Sequence, residues 1–360
     1  MKAVILAGGL GTRLRPMTYR RPKPVISLMG RPFLEFQIRW LESFGVEDIA
    51  LCLHYQADRV ESILGDGKQY GVRLHYIYED TPMGTGGALA NASQFWGQNR
   101  LLVLNGDVLV NFDLYTMVDF HVARKSAATI ALARVSDPTS YGMVMVKPDG
   151  KVARFLEKPA WDQVSVRSIN AGVYILEPEV LKFIPPNREI SIERETFPVL
   201  LDAGLPFYSY REPFYWLDIG TPEKLMQAHF DLLDRRIFTN LNGTRVSDHV
   251  WVDDSSLLGE GVNLIPPVFI GPHAKVGDGS IIGPYVVIGE HAIVENECEI
   301  RRSVLYENTT VGANSSLSWS LLDEHSQVKE EACIQGFLLS ADSVAGKGCR
   351  TIKASEAIDS

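Results

Sequence analysis

The chain has 360 residues, of which 46% are hydrophobic, and a formal net charge of −9 at pH 7. This length predicts two domains, or one large domain with an appendage, and the acidic balance disfavours broad nucleic-acid binding. The four cysteines form no CxxC pair, so neither a zinc site nor a disulfide framework is expected. Since no signal-peptide pattern is present and no apolar run approaches the roughly 20 residues of a membrane span, we expect a cytoplasmic protein with no membrane partner.

The chain opens with a short apolar strand that runs into a glycine-rich turn. The strand is Ala3–Ala7, the turn is Gly8–Thr12, and Arg13 and Lys23 follow. Glycine has no Cβ, so a polyanion can approach the backbone of such a turn, and two cations nearby would complete a triphosphate site. The turn is neither a P-loop, because no Gly-Lys-Ser/Thr follows, nor a G-x-G-x-x-G fingerprint, because the third glycine is replaced by Leu14.

Strands and helices alternate through the first 232 residues, which predicts βαβ units and a mostly parallel sheet. The predicted strands are Ala3–Ala7, Asp48–Leu53, Leu74–Tyr78 and Leu101–Leu104. The predicted helices are Pro32–Phe44, Ala57–Leu64 and Gly87–Gln94. Because ligands bind beyond the carboxyl ends of parallel strands, the segments Gly8–Thr12 and Asn105–Asp107 are expected to lie at a ligand site.

Short strands of a different kind follow between residues 129 and 157, and they predict an antiparallel lobe inserted beside the main sheet. They are Thr129–Val135, Tyr141–Val146 and Val152–Glu157, with Asp149-Gly150 as a hairpin turn. A helix over Pro222–Phe238 is expected to close the domain, with Asp231–Arg236 on its solvated face.

The second half of the chain carries an internal repeat of six residues. Apolar residues recur at that spacing from Leu258 to Ile300. The pattern continues to Ile334 with one residue lost at two corners, so that two similar segments lie 17 residues apart. Neither a helix nor an alternating strand has this period, whereas the stacked coils of a parallel β-helix do. We therefore predict a domain at 1–232, a linker at 233–250 and a hexapeptide-repeat β-helix at 251–360.

Two acidic residues are candidates for a metal site. Asp107 ends an apolar strand in Asn-Gly-Asp, where a carboxylate could hold Mg²⁺ bound to a nucleotide, although an Asx turn would look the same. Asp218 precedes the helix near Pro222, but Thr221 is an equally good N-cap with proline following it, so Asp218 is not needed as a cap and could bind the metal.

The strings GGLGTRLRP and RPKP closely resemble the sugar-phosphate nucleotidylyltransferases, which make nucleotide sugars, and the resemblance extends in motif order over about 230 residues. It implies a Rossmann-like α/β domain with a mostly parallel sheet, and the tail resembles left-handed parallel β-helices of hexapeptide repeats. It also implies Mg²⁺ held by Asp107 and Asp218, with Arg13, Lys23 and Asp107 as the catalytic residues.

The resemblance further implies two groups of binding residues. The nucleotide-binding group comprises Leu6, Ala7, Gly8, Gly9, Gly11, Thr12, Arg13, Lys23, Glu79, Gly84, Thr85 and Asp107. The sugar-phosphate group comprises Gly142, Glu157, Lys158, Asn170, Gly172 and Glu195, although a solvated helix face is nearly as good an explanation for Glu195.

Within this family, the combined motifs and the tail look most like mannose-1-phosphate guanylyltransferases, which favours GTP and a sugar 1-phosphate as substrates. Gly86-Gly87 departs from the Ala-Gly common there. Heptose-1-phosphate guanylyltransferases, and glucose-1-phosphate uridylyl- or thymidylyltransferases, remain alternatives. A non-catalytic regulatory subunit that binds nucleotide sugars is an alternative of a different class, as is a bifunctional enzyme whose tail transfers acyl groups.

The tail also predicts self-association, because the ends and faces of a stack of coils suit it. We expect a homo-oligomer of unknown order that forms through the β-helix. The tail histidines His273, His291 and His325 are expected at exposed corners rather than in an acyltransferase site.

Overall fold

A computed structural model describes residues 1–237 and 243–351 of the chain. Residues 238–242 of the predicted linker and 352–360 of the predicted repeat domain lie outside the described residues, as does Phe238 of the predicted helix. The chain divides into two compact units. We call Met1–Leu10, Pro22–Val25 and Phe33–Asp218 the sheet unit, and Gly11–Arg21, Ile26–Pro32 and Ile219–Ser360 the β-helix unit.

The sheet unit is built on a nine-stranded sheet with a parallel centre. The four parallel strands, in spatial order, are Leu101–Asn105, Lys2–Leu6, Asp48–Leu53 and Arg73–Tyr78. Val4, Ile49 and Val103 are fully buried, as expected where helices cover both faces of a parallel sheet. The predicted Rossmann-like sheet is confirmed, and the bounds of its parallel strands differ from prediction by at most one residue.

Helices connect or flank these strands. Those of the sheet unit are Phe33–Ser43, Ala57–Leu64, Gly84–Asn91, Ser93–Trp96, Leu114–Ala123 and Phe197–Asp202. The predicted helix Gly87–Gln94 is thus two shorter helices, and it begins earlier than expected. Asp113 caps the helix Leu114–Ala123, because its carboxylate accepts a hydrogen bond from the backbone N–H of Tyr115.

The predicted antiparallel strands exist but do not form a separate lobe. The long strand Ser168–Leu176 runs antiparallel to Leu101–Asn105 and also pairs with Ala128–Arg134, and Phe207–Tyr210 pairs in parallel with the latter. The hairpin Gly142–Val146/Val152–Glu157 joins the same sheet through the pair Ile169 and Met143. Gly150 has a φ of +89° in the hairpin turn, which confirms the Asp-Gly signal.

A second, two-stranded sheet lies in the same unit. Val108–Asn111 pairs antiparallel with Tyr215–Asp218, and Asp218 stands opposite Val108 in the register. Because the turn at Gly106–Asp107 directly precedes Val108, this pairing brings the carboxyl end of the central strand beside a segment more than 100 residues later in the chain.

The β-helix unit contains three sheets of short strands whose successive members are parallel, apart from the antiparallel pair Thr244–Ser247 and Val250–Val252. The first sheet continues with Val268–Ile270, Val286–Ile288, Ser303–Leu305, Leu321–Leu322 and Leu338–Leu339. The second contains Leu257–Leu258, Lys275–Val276, Ile293–Val294, Thr310–Val311, Gln327–Val328 and Val344–Ala345. The third contains Asn263–Leu264, Ile281–Ile282, Glu299–Arg301, Ser316–Ser318, Cys333–Gln335 and Arg350–Thr351.

This arrangement explains the repeat. Ile270 pairs with Ile288 and Ile288 with Leu305, so a full turn takes 18 residues in one coil and 17 in the next. The six-residue period is therefore one side of a three-sided coil, and the predicted β-helix is confirmed. Leu258, the first residue of the repeat, is 42% exposed, because no earlier coil covers it. His273, His291 and His325 stand at exposed corners with positive φ, as predicted.

The remaining strands and the last helix also belong to the β-helix unit. Ser27–Leu28 pairs antiparallel with Arg31–Pro32, and the helix Pro222–Leu233 begins at Thr221, whose hydroxyl accepts from the backbone N–H of Lys224. The prediction that Asp231 lies on a solvated face is wrong. Asp231 is buried, accepts a hydrogen bond from Gln227 Nε2 at 2.9 Å and pairs with Arg236 at 3.4 Å.

No helix among the described residues combines the length and hydropathy that a bilayer crossing requires. The four cysteines are free thiols, and Cys52 and Cys298 are buried.

Candidate active site

Several of the predicted nucleotide-binding residues lie at the carboxyl edge of the central strands. Leu6 lies between Asn105 and Cys52 in the register, so Ala7 and Gly106 leave the sheet side by side. The N–H of Gly106 donates to the carbonyl of Leu6 at 2.8 Å, and a Cβ at Gly106 would stand 2.8 Å from the Cβ of Ala7. A side chain at position 106 would therefore separate the two chain segments, so only glycine lets them meet.

The glycine-rich turn leaves this edge and crosses from one unit to the other along the chain. Gly8 is half-buried and Gly9 is exposed in the sheet unit, whereas Gly11, Thr12 and Arg13 belong to the β-helix unit. Gly11 has a φ of +62°, and its carbonyl accepts from the N–H of Leu14 at 3.0 Å, which starts a short 3₁₀ turn. The side chain of Arg13 is exposed.

Lys23 is a buried cation that faces Asp107. Only 9% of the residue is exposed, and its Nζ donates to Asp107 Oδ2 at 2.9 Å. A charged side chain at this depth needs a partner, because desolvation penalises the ion. The structure thus joins Lys23 and Asp107, two predicted catalytic residues that are far apart in the chain.

Asp218 lies near Asp107 in the backbone register. Its partner across the two-stranded sheet is Val108, the residue after Asp107, and Tyr141 Oη donates to Asp218 Oδ1 at 2.7 Å. Asp218 does not cap the following helix, since Thr221 does. In the described parts of the chain, no cluster of three or more His, Cys, Asp or Glu side chains is suited to a metal ion. The two carboxylates fit a cation such as Mg²⁺, which takes one or two protein carboxylates together with substrate phosphates.

The loop predicted to read the base is held by a buried carboxylate and a close backbone approach. Glu79 is 8% exposed, its Oε2 accepts from the N–H of Met83 at 3.1 Å, and burial raises the pKa of its carboxyl. A Cβ at Gly84 would stand 2.5 Å from the carbonyl oxygen of Ile190, and one at Gly87 would stand 2.4 Å from that of Arg188. These contacts give the physical reason for glycine at position 87.

The predicted sugar-phosphate residues meet around the antiparallel hairpin. Glu157 stands opposite Gly142 in the register, and a Cβ at Gly142 would lie 2.9 Å from Glu157 Oε2 and 3.8 Å from the Cβ of Asn170. Lys158 has a φ of +46°, and its N–H donates to the carbonyl of Tyr141 at 3.0 Å. The structure therefore groups Gly142, Glu157 and Asn170.

Gly172 joins this group to the turn that holds Asp107. The strand has a bulge between Asn170 and Tyr174, the N–H of Gly172 donates to Asn170 Oδ1 at 2.8 Å, and φ at Gly172 is +71°. A Cβ at Gly172 would stand 2.8 Å from the side-chain nitrogen of Asn105. The sugar-side strand and the Asn-Gly-Asp turn thus touch where a larger residue could not fit.

Two functional candidates were missed from the sequence: Tyr174 and Glu193. Tyr174 is completely buried, and its hydroxyl accepts from Asn170 Nδ2 at 2.6 Å and donates to Glu193 Oε1 at 3.0 Å. Glu193 Oε2 in turn accepts from Thr85 Oγ1 at 2.7 Å. This chain of hydrogen bonds, the Tyr174 network, links the predicted base-reading loop to the predicted sugar-side strand.

Glu193 lies in Ile192–Thr196, a single turn of π-helix, a form often found at functional sites. Glu195, the residue singled out from the sequence, has a half-exposed side chain, accepts from the N–H of Ser191 at 3.0 Å and lies 3.8 Å from Arg188. The motif SIERETFP contains two glutamates at alternate positions, and no sequence signal distinguishes the one that points inward.

Comparison with known families matches both halves of the chain. Residues 2–235 match the nucleotidyl transferase family, and residues 264–358 match the GMPPB C-terminal domain.

Relatives match most of the chain. A mannose-1-phosphate guanylyltransferase of Mycobacterium tuberculosis is 38% identical over 77% of this chain and 77% of its own length. A UTP–glucose-1-phosphate uridylyltransferase of Synechocystis is 34% identical over 78% of this chain and 81% of its own. A mannose-1-phosphate guanyltransferase of Pichia angusta is 34% identical over 96% of this chain and 93% of its own.

Solved structures resemble about two thirds of the chain. A putative glucose-1-phosphate thymidylyltransferase from Bacillus anthracis matches with a TM-score of 0.60 and 26% identity, covering 67% of this chain and 97% of that one. HddC from Yersinia pseudotuberculosis, in complex with GMP-PN, matches with a TM-score of 0.57 and 31% identity, covering 64% and 99% of the two chains.

Proposed function

This chain belongs to the nucleotidyl transferase family, and from that premise we propose that it is a sugar-1-phosphate nucleotidylyltransferase that converts mannose 1-phosphate and GTP to GDP-mannose and pyrophosphate. One observation carries the site assignment: buried Lys23 contacts Asp107 at 2.9 Å, and Asp218 stands opposite the next residue, Val108. The Lys23–Asp107 pair lies just beyond the carboxyl end of a central strand, where such folds bind ligands, and this position supports the assignment.

The reaction requires positioning and charge neutralisation rather than a covalent enzyme intermediate. An oxygen of the sugar phosphate attacks the α-phosphorus of the nucleotide in line, a new P–O bond forms, and the bond to the β-phosphate breaks to release pyrophosphate. We assign to Arg13 and Lys23 the binding of the triphosphate and the stabilisation of the charge that develops on it.

Asp107 and Asp218 would hold Mg²⁺, since their carboxylates are the ligand type that this ion prefers. When bound, the ion would neutralise phosphate charge and orient the α-phosphorus. Lys23 already balances Asp107, and Tyr141 hydrogen-bonds Asp218, so each carboxylate has a neighbour that fixes its orientation.

The remaining residues are assigned to a nucleotide-binding group and a sugar-phosphate-binding group. Backbone around Leu6–Thr12 would approach the nucleotide phosphates, and the loop with Glu79, Gly84 and Thr85 would approach the base and ribose. Glu79 would act by fixing Met83, because its carboxylate is buried and already bound to the Met83 N–H. Gly142, Glu157, Lys158, Asn170, Gly172 and Glu195 would form the sugar-phosphate side.

Mannose and guanine are favoured over other substrates because mannose-1-phosphate guanyltransferases of fungi and a plant align with 96% of this chain. The uridylyltransferase relative supports the glucose-1-phosphate alternative. The proposed domains remain 1–232, 233–250 and 251–360, and self-association through the β-helix remains a prediction.

The test is pyrophosphate release with Mg²⁺ and each of four NTPs, combined with mannose, glucose and heptose 1-phosphates. Release that is greatest with GTP and mannose 1-phosphate supports the proposal, and greatest release with another pair would reassign the substrates within the family. Release with no pair, together with binding of a nucleotide sugar in calorimetry, would instead favour a regulatory subunit. An Asp107→Asn variant, in which release should fall at least about 100-fold, is the matched control.

A further inference from the structure

The loop that carries Arg13 is attached to the β-helix. Gly11–Arg21 and Ile26–Pro32 belong to the β-helix unit, although they are close in sequence to the glycine-rich turn of the sheet unit. The attachment includes ionic and polar side-chain contacts from Arg21 and Ser27.

On the β-helix side, the attachment uses one corner of successive coils. Glu290, Glu307 and Glu324 each follow, by two residues, the last strand residue of the first sheet in their coil: Ile288, Leu305 and Leu322. The backbone of this corner is also stacked, since Asn308 N donates to the carbonyl of Glu290 at 2.9 Å and His325 N to that of Glu307 at 3.1 Å. The three glutamates therefore form a column, which we call the acidic column.

On the loop side, Arg21 pairs with two members of the column. Its Nη2 donates to Glu324 Oε2 at 2.7 Å, and its Nη1 lies 3.6 Å from Glu307 Oε1. The side chains of Arg21, Glu307 and Glu324 are only 16 to 25% exposed. Burial by itself would lower the pKa of Arg21, and the facing carboxylates of Glu307 and Glu324 raise it above its usual value. Like charges stacked on adjacent coils repel, so the guanidinium between them stabilises the corner.

A second contact fixes the same corner. The hydroxyl of Ser27, a buried residue, donates to Glu307 Oε1 at 2.9 Å. Glu307 is thus held by the loop before Pro22 and by the segment after Val25, the two segments that flank the stretch containing Lys23.

Hydrogen bonds within the loop connect Arg21 to the turn that carries Arg13. Thr18 Oγ1 donates to the carbonyl of Gly11 at 2.9 Å, and the N–H of Arg21 donates to the carbonyl of Met17 at 3.3 Å. Leu14, Met17 and Thr18 are buried. A displacement of Arg21 therefore moves a hydrogen-bonded body that includes Gly11 and Arg13 rather than a flexible linker.

We propose that Arg21, Glu307 and Glu324 are positioning residues through which the β-helix sets the position of the Arg13 loop. This inference rests on the proposed function for its effect on catalysis. Through the Arg13 loop, it would give the tail an indirect role in nucleotide binding, in addition to any role in assembly.

The test compares Arg21→Gln, Glu307→Gln and Glu324→Gln with Glu290→Gln. Glu290 occupies the same corner one coil earlier, but it pairs with His291 at 3.4 Å and is half-exposed. A coupling of ordinary size predicts that KM for the nucleotide rises about 3- to 30-fold in the first three variants, with a smaller change in KM for the sugar phosphate. Glu290→Gln should behave like the wild type.

The second measurement is amide hydrogen exchange of residues 11–21, which does not depend on activity. Exchange should accelerate there in Arg21→Gln and Glu324→Gln, and the double variant Arg21→Glu/Glu324→Arg should recover both protection and KM in part. Wild-type KM and wild-type exchange in these variants would overturn the proposal, as would equal effects in Glu290→Gln.

These readouts separate the two proposals. If the wild type releases pyrophosphate with no substrate pair, the proposed function fails, and the exchange of residues 11–21 still decides whether the acidic column holds the loop. If Arg21→Gln does not fold, the Glu324→Gln and exchanged-charge variants decide the same question.

Discussion

Individual side chains at the candidate site differ sharply in exposure, and this difference separates their effects on turnover from their effects on stability. Lys23 is buried and ion-paired with Asp107, so its replacement would change both turnover and stability. Arg13 is exposed, and in the described part of the chain its side chain has no hydrogen bond or ion pair. It is therefore the residue at which a catalytic role can be tested without a change in the fold.

For Arg13→Ala we expect kcat to fall by about 100- to 1,000-fold, the usual cost of losing one preorganised group that stabilises transition-state charge. The melting temperature should stay within about 1 °C of the wild type, because an exposed side chain contributes little to stability. Arg13→Lys keeps the positive charge but loses the planar guanidinium, so its kcat should lie between those of the wild type and Arg13→Ala. Initial rates and thermal melts test this, and wild-type kcat in Arg13→Ala would refute the role.

Two titratable groups of the β-helix unit, buried His229 and half-buried Asp323, should respond to pH with opposite sign. Burial lowers the pKa of His229 to about 3, so between pH 6.5 and 3 the unfolded chain binds a proton there that the native chain does not. Burial raises the pKa of Asp323 to about 6, with the carboxylates of Glu324 and Glu307 adding to the rise. Native Asp323 is thus protonated between pH 6 and 4, where the unfolded residue is ionised.

Each group changes the free energy of unfolding by up to about 1.4 kcal/mol per pH unit. As pH falls from 6 to 4, His229 lowers the stability and Asp323 raises it. Relative to wild type, His229→Asn should therefore gain stability over this range, and Asp323→Asn should lose it. Urea unfolding at half-unit pH steps measures both slopes, and parallel curves for all three proteins would contradict the assignment.

At the scale of elements, the site depends on hydrogen bonds between a helix, a strand and a π-turn that are far apart in the chain. The Tyr174 network connects Thr85 in one helix, Asn170 in a long strand and Glu193 in a π-turn. Because Tyr174 is fully buried, its hydroxyl must be hydrogen-bonded, and the bonds fix the relative positions of the base-side and sugar-side loops.

Tyr174→Phe keeps the ring and removes the hydroxyl, which leaves Asn170 and Glu193 each without one partner. We expect the free energy of unfolding to fall by about 1–3 kcal/mol, the usual cost of an unsatisfied buried polar group. KM for the sugar phosphate should also rise, because Asn170 loses its anchor. Chemical denaturation and steady-state kinetics measure the two effects, and a loss of stability with unchanged KM would make the hydroxyl purely structural.

At the scale of the whole molecule, ligand binding should stabilise the protein in a metal-dependent way. A ligand that binds only the native state adds RT ln(1 + [L]/Kd), or about 2.7 kcal/mol at one hundred times Kd. GTP with Mg²⁺ should therefore raise the melting temperature by several degrees, and GTP with EDTA by much less. In Asp218→Asn the difference between the two conditions should shrink, whereas an unchanged difference would remove Asp218 from the metal site.

Much of this molecule is determined by local sequence. The alternation of apolar strands and amphipathic helices predicted the parallel sheet, because period and composition are set by which faces are buried. The six-residue repeat predicted the β-helix for the same reason, and Thr221-Pro222 marked a helix start because capping is a local interaction. The glycine-rich turn and Asn105–Asp107 were correctly placed at strand ends.

What tertiary structure alone decided are the contacts between distant segments. The strands between residues 129 and 157 were predicted to form a lobe beside the main sheet, because sequence indicates pairing between neighbours in the chain. It does not indicate the pairing to Ser168–Leu176 that merges them into the main sheet. Asp231 looked solvated, because helix periodicity cannot reveal that a charged residue meets Arg236 and Gln227. The same holds for Asp218 opposite Val108, for inward-facing Glu193, and for Arg21 on the acidic column. Each depends on residues that folding brings together, and local sequence patterns do not show which distant residues will be in contact.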